Sequence, residues 1–154
     1  MYDVLDVSRL IIEYSNKRRY GITNLRLQKI LYFMQLHFLY VKERPCFEAP
    51  IEAWDVGPVV PIAYREYKKY GFDNIPNEDS KRNDSLGISK EDREFMKNTI
   101  DTLAKYSSWD LVRVSKAHVI WSKRYVPFTP LEITMEVIKK FVEICREART
   151  ELVK

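Results

Sequence analysis

The chain has 154 residues, of which 45% are hydrophobic and 31% charged, a balance that supports a folded core and excludes an intrinsically disordered segment. Its four glycines, Gly21, Gly57, Gly71 and Gly87, stand too far apart for a G-x-G-x-x-G fingerprint or a P-loop. Nucleotide binding by those loops is thereby excluded. The formal net charge of +4 is compatible with nucleic acid, but the signs are mixed along the chain.

Asp3 caps a first predicted helix, in which Val4, Leu5, Val7, Leu10, Ile11 and Tyr14 recur at helical spacing and Gly21 marks the end. Thr23 or Asn24 caps the second, LRLQKILYFMQLHFLYV, which is apolar nearly all round and so belongs at the centre of the fold. Its apolar run from Ile30 to Val41 is broken by Gln35 and His37 and is shorter than the roughly 20 residues of a membrane span. Arg44-Pro45 breaks this helix, and Phe47, Ile51 and Trp54 leave room for a short hairpin. Pro58 suits the first turn of a third helix, with Val60, Ala63, Tyr64 and Tyr67 facing inward. Phe72 to Gly87 reads as a polar loop. Ser89 to Asp92 approximates a capping box for a helix carrying Met96, Ile100 and Leu103, and Ser107 to Asp110 repeats the signal before Leu111, Val112 and Val114. Thr129-Pro130-Leu131-Glu132 predicts the start of the last helix, with Leu131, Met135, Ile138, Phe141, Val142 and Cys145 inward. The expectation is a mainly α fold: a compact bundle of about six helices, with room for one short β-hairpin after the second, in a single domain over 1–154.

Catalytic signals are absent from this pattern. His37 and His118 belong to no metal-ligand spacing and read as packing groups. Cys46 has no flanking feature that would activate a thiol, and Cys145 falls on the inward face of the last helix. The expectation is no enzyme activity, no metal and no cofactor. Two separated cysteines read as free thiols, and the acidic start MYDVLD lacks the basic region of a signal peptide, so a cytoplasmic location without membrane insertion is expected. The aromatic content, 13% with ten Tyr and three Trp, favours an interface. Short basic runs, Lys17 to Arg19, Lys68-Lys69 and Lys123-Arg124, lack the aromatic interleaving of a base-stacking platform.

The stretch Ile22 to Gly71 carries an ordered pattern: Thr23, Asn24, Leu27, Gln28, Lys29, Leu31, Tyr32 and Phe33, then Pro45, Phe47, Glu52, Ala53, Trp54, Gly57, Pro58, Val59 and Tyr64. It resembles the Panacea, or SocA-like, antitoxin family, often seen in phage-associated proteins. LVRVSKAHVIW resembles a later family segment through Leu111, Ser115 and Trp121, with Lys116 where that pattern usually has His and Ile120 where it has Pro. The resemblance implies a helical domain that neutralises a cognate protein toxin, encoded by an adjacent gene, through direct contact. One type of relative also acts as an adaptor to a protease. A nucleic-acid-binding regulator of a phage or mobile element is the alternative. The family motif residues Gln28, Lys29, Tyr32, Glu52, Trp54, Gly57, Pro58 and Tyr64 are expected to hold the fold or form part of a partner groove. Trp54 is expected to lock the Gly57-Pro58 turn onto the central helix, and Gln28 to find a partner among backbone groups of Glu52 to Gly57. Asp55, Tyr70, Phe72, Arg124 and Tyr125 are the expected partner anchors.

Overall fold

A helix that is apolar on every side must be covered on every side. The computed structural model, which describes residues 1–78 and 87–153, is arranged around one such helix. Helix α2 (Asn24–Lys42) is flanked by α1 (Val4–Lys17), α3 (Pro61–Tyr67), α4 (Lys90–Leu103), α5 (Ser108–Ala117) and α7 (Met135–Ala148). Strand β2 (Gly57–Val59) covers it as well. Leu27, Ile30, Leu31, Tyr32, Phe33, Met34, Leu36 and Phe38 are all buried along α2. The remaining elements are a 3-10 turn (Lys68–Tyr70), α6 (Val119–Ser122), β1 (Ile51–Trp54) and β3 (Leu131–Ile133). The fold is mainly α, with one small antiparallel sheet in the order β2-β1-β3. No described helix is long and apolar enough to cross a membrane.

The helix starts form where local capping chemistry puts them. Asp3, Thr23, Ser89 and Ser107 each accept a backbone N–H of the first turn. Only Ser107 completes a reciprocal capping box, with Asp110. At Ser89 the corresponding acid, Asp92, is drawn away by stronger partners. It accepts from Lys42 Nζ at 2.5 Å, from Arg44 at 2.7 Å and from the Tyr2 hydroxyl at 2.5 Å. This cluster ties the N-terminus, the end of α2 and the start of α4 together.

Two expected boundaries are corrected. The third helix opens at Pro61, not Pro58, because Pro58 pairs with Ala53 in the hairpin. The last helix is capped by Thr134, not Thr129. Leu131 to Ile133 instead form β3, with Ile133 opposite Ile51 and Leu131 opposite Ala53. The hairpin expected after the second helix is present, and β3 extends it to three strands.

Arginines close helix ends elsewhere. Arg26 donates to Leu103 O at the end of α4 at 2.9 Å, and Arg146 donates to Tyr40 O at 2.9 Å and to Leu39 O at the end of α2. The first part of the expected polar loop is pinned to the body: Ile75 is buried, its N–H donates to Ile22 O, and the Asn74 side chain accepts from Ile22 N. The rest of that loop, 79–86, lies outside the described residues.

Burial by itself would raise the Asp92 carboxyl, but hydrogen bonds from Lys42, Tyr2 and Arg44 outweigh it and hold the group well below the usual carboxylate range. Its stabilisation is therefore complete above about pH 5 and is lost progressively as pH falls below that. Asp92→Asn should cost about 2–3 kcal/mol in urea unfolding at pH 7, and should blunt the acid sensitivity of the wild type. Unchanged acid unfolding in the variant would show that other carboxylates dominate.

Candidate partner-binding cleft

The hairpin is held from behind by polar groups of the apolar helix. Gln28 is buried; its amide accepts from Val60 N at 2.9 Å and donates to Asn24 at 3.0 Å. Its partner thus lies just beyond the Glu52 to Gly57 segment where it was expected. Lys29 is fully buried under β2 and donates to Pro58 O. Gln35 accepts from Cys46 N at 2.8 Å and Phe47 N at 3.2 Å, and donates to Phe47 O at 2.8 Å. Gly57 has φ +101°, and a Cβ there would stand 2.7 Å from Ser115 Oγ and 3.2 Å from Lys29 Nζ, so only glycine fits.

Tyr32 is buried and bonds His118 Nδ1 at 2.7 Å, while His118 Nε2 meets Leu152 O at 3.0 Å. The carbonyl can only accept, so Nε2 carries the proton and the tyrosine donates to Nδ1. Burial lowers the His118 pKa, which keeps that neutral tautomer. His37 is half-buried against Thr99 and likewise lowered by burial. Cys46 is fully buried, which pushes its thiol far up, the opposite of nucleophile activation. These are environments of packing groups. Among the described residues no group of His, Cys, Asp and Glu is placed to hold a metal ion.

In front of the hairpin lies an open, largely apolar cleft of about 640 Å³. Leu25 and Gln28 of α2 and Ala53 and Val59 of the sheet form its floor. Trp54 and Tyr64 form one wall, in edge contact with ring centroids 4.9 Å apart. Trp54 is half-buried, packs on Tyr64 and bonds Glu52 at 2.9 Å, so it lines the cleft where it was expected to lock the turn onto the central helix. Lys68, Gly71 and Phe72 close one end, and Trp109 projects from the start of α5. The opposite wall is the segment from Tyr125 to Pro130, all of which lines the cleft except Pro127. It is tied to the hairpin tip: Trp121 Nε1 donates to Trp54 O at 2.8 Å, Tyr125 stacks on Trp121 at 4.6 Å, and the Tyr125 hydroxyl donates to Asp55.

The expected anchors divide. Asp55, Phe72 and Tyr125 come together in this cleft. Tyr70 is half-buried against the core with Lys69 over its ring, and Arg124 donates to Glu132 O at 2.8 Å; neither lines the cleft. Of the family motif, Gln28, Trp54 and Tyr64 line it, whereas Lys29, Tyr32, Glu52, Gly57 and Pro58 support it from behind or beside.

Two large cleft residues went unread in the sequence, Trp109 and Phe128, which are 68% and 96% exposed, and Phe72 beside them is 99% exposed. Phe128 had a signal. Val126 to Thr129 form a tight turn closed by Thr129 N to Val126 O at 3.1 Å, with Pro127 second and Phe128 third. Pro at the second position favours this turn, and the third position takes a positive φ, which at Phe128 is 59°. Glycine is usual there, so a phenylalanine is a strained choice.

Residues 27–122 match the family model described as "Antitoxin SocA-like, Panacea domain". The chain belongs to this family. It is also similar to Antitoxin SocA of Caulobacter vibrioides (strain NA1000 / CB15N), 32% identical over 123 residues that cover 75% of this chain and 65% of that protein. The chain thus spans a little under two thirds of that relative's length. No solved structure matches it. Within the matched segment fall α2 from Leu27 onward, the hairpin and the cleft residues Trp54, Tyr64, Phe72 and Trp109; the wall from Tyr125 to Pro130 lies beyond it.

Burial, with Lys116 nearby, lowers the Lys29 ammonium from its usual 10.5 to about 7. Between those values the unfolded chain binds more protons than the folded one, so this group makes stability rise with pH, by at most about 1.4 kcal/mol per unit. Lys29→Met should therefore flatten the stability profile between pH 7 and 9 relative to wild type. Parallel profiles would show that Lys29 is not desolvated. Separately, Gly57→Ala should lower stability by more than about 1 kcal/mol in thermal melts, from positive φ and the clash behind the hairpin.

Proposed function

We propose that the protein is an antitoxin that neutralises a cognate protein toxin by holding it in a direct complex, with the aromatic cleft as the contacting face. Family membership supplies the class of function. The observation that carries the mode of action is the cleft itself: three large rings, Phe72, Trp109 and Phe128, stand out in solvent around an apolar floor. Exposed rings converging on one concavity are the anatomy of an interface anchor site. The half-buried, hydrogen-bonded histidines and the buried cysteines support occlusion of the toxin over chemistry performed on it.

Co-expression with the product of the neighbouring gene tests this. The wild-type chain should restore growth that the neighbour alone arrests, and the two proteins should co-purify. Each buried aromatic anchor is worth about 2 kcal/mol, or roughly thirtyfold in affinity. Trp109→Ser combined with Phe72→Ser should therefore abolish rescue while the circular dichroism spectrum and melting midpoint stay at wild-type values. Full rescue by this double variant would remove the cleft from the interface. Failure of the wild type to rescue or bind would remove the antitoxin reading.

A further inference from the structure

The polar groups at the floor and hairpin tip of the cleft are already spent inside the protein. The Gln28 amide serves Asn24 and Val60, the Trp54 carbonyl takes the Trp121 indole, and the Asp55 carboxylate takes the Tyr125 hydroxyl. What the cleft still offers is apolar surface and, beside the Asp55 carboxylate that Tyr125 already holds, one cation, Lys68, which has no ion-pair partner among the described residues. Arg65 and Lys69 stand exposed on the same stretch of chain, as do Glu66 and Asp73, but none of these four lines the cleft. The donors left over, the Tyr64 hydroxyl, the Trp109 indole and the Lys68 ammonium, are few against a largely apolar lining, which suits apolar side chains better than the many polar groups of a sugar or nucleotide. A volume of about 640 Å³ suits two or three large side chains of a polypeptide.

Phe128 points the same way. Its backbone has a φ of 59° and its ring is 96% exposed, so the residue bears the strain of a position suited to glycine without packing against anything in this chain. A partner's apolar side chain is what that ring lacks.

We propose that the cleft takes a short apolar segment of the partner polypeptide with a carboxylate beside it, the apolar side chains lying among Trp54, Phe72, Trp109 and Phe128 and the carboxylate pairing with Lys68. The identity of the partner as a toxin rests on the proposed antitoxin function; the chemistry of the docked segment rests on the cleft.

Blocked, tryptophan-free peptides test it on the full chain, read by the fluorescence of Trp54 and Trp109. The probes are acetyl-Asp-Leu-Phe-Ile-Leu-amide, the reversed order with Asp last, and the Lys counterpart of each. The better acidic peptide should bind about fivefold tighter than its Lys counterpart, and the difference should vanish at high salt. Lys68→Glu should reverse the preference. Phe128→Gly should weaken every peptide while leaving the melting midpoint unchanged or higher, since glycine relieves the turn. Absence of a saturable response, a preference indifferent to Lys68→Glu, or full affinity in Phe128→Gly would overturn the proposal. If the peptides behave as expected while co-expression fails to rescue growth, the antitoxin reading falls and the docking chemistry stands. If rescue succeeds and the peptides do not discriminate, the docking chemistry falls.

Discussion

An irregular segment packed against an apolar helix must have its backbone hydrogen bonds met, because a buried N–H or C=O without a partner costs about 1–3 kcal/mol. Helix α2 meets them with its own side chains. Gln35 serves Cys46 and Phe47, Lys29 serves Pro58, Gln28 serves Val60, and Asn24 donates to Tyr64 O. One flank of the helix thus does what a neighbouring strand would do, and it covers the outer edge of β2. The other parts follow in series. The hairpin takes its position from these bonds, the Trp54 carbonyl then receives Trp121, and Trp121 with Asp55 sets Tyr125 and the turn beyond it. The cost of burying Lys29 is visible in its depressed pKa, and it is tolerated because the same group closes the Pro58 carbonyl.

The cleft departs from the consistency seen in the core. From Arg26 to Leu36 every side chain of α2 is buried and the local preferences agree with the packing. At the cleft mouth, Phe72, Trp109 and Phe128 leave apolar area in water, and Phe128 does so from a left-handed backbone. A monomer gains nothing from that arrangement, whereas a binding surface recovers the cost on docking. The two walls also differ in origin. Trp54, Tyr64 and Trp109 lie in the matched Panacea domain, and the Tyr125 to Pro130 wall lies outside it, joined to it through the Trp121 and Asp55 contacts.

Much of this protein was legible from residue order. Capping is a contact across three residues, so Asp3, Thr23, Ser89 and Ser107 announce helices α1, α2, α4 and α5 without reference to anything distant. The all-round apolarity of α2 likewise implied its central place, and the Gln28 to Tyr64 motif pointed to the family. Where two local readings competed, distance decided. Thr129-Pro130 carries the stronger helix-start signal, yet Leu131 to Ile133 pair with β1, some eighty residues earlier, and the helix waits for Thr134. Asp92 reads as a capping acid and is instead recruited by Lys42, Arg44 and Tyr2.

The sequence by itself determined the helical class, most helix starts and the central helix, because each rests on periodicity or on contacts within a few residues, and its ordered residue pattern carried the resemblance to the family. Only the tertiary structure decided the third strand, the partner of each buried polar side chain and the existence of the cleft. That cleft draws on α2, the hairpin, α3, the start of α5 and the turn at Phe128. The desolvation and exposure that define it arise from surfaces brought together across a hundred residues of chain, which no local pattern encodes.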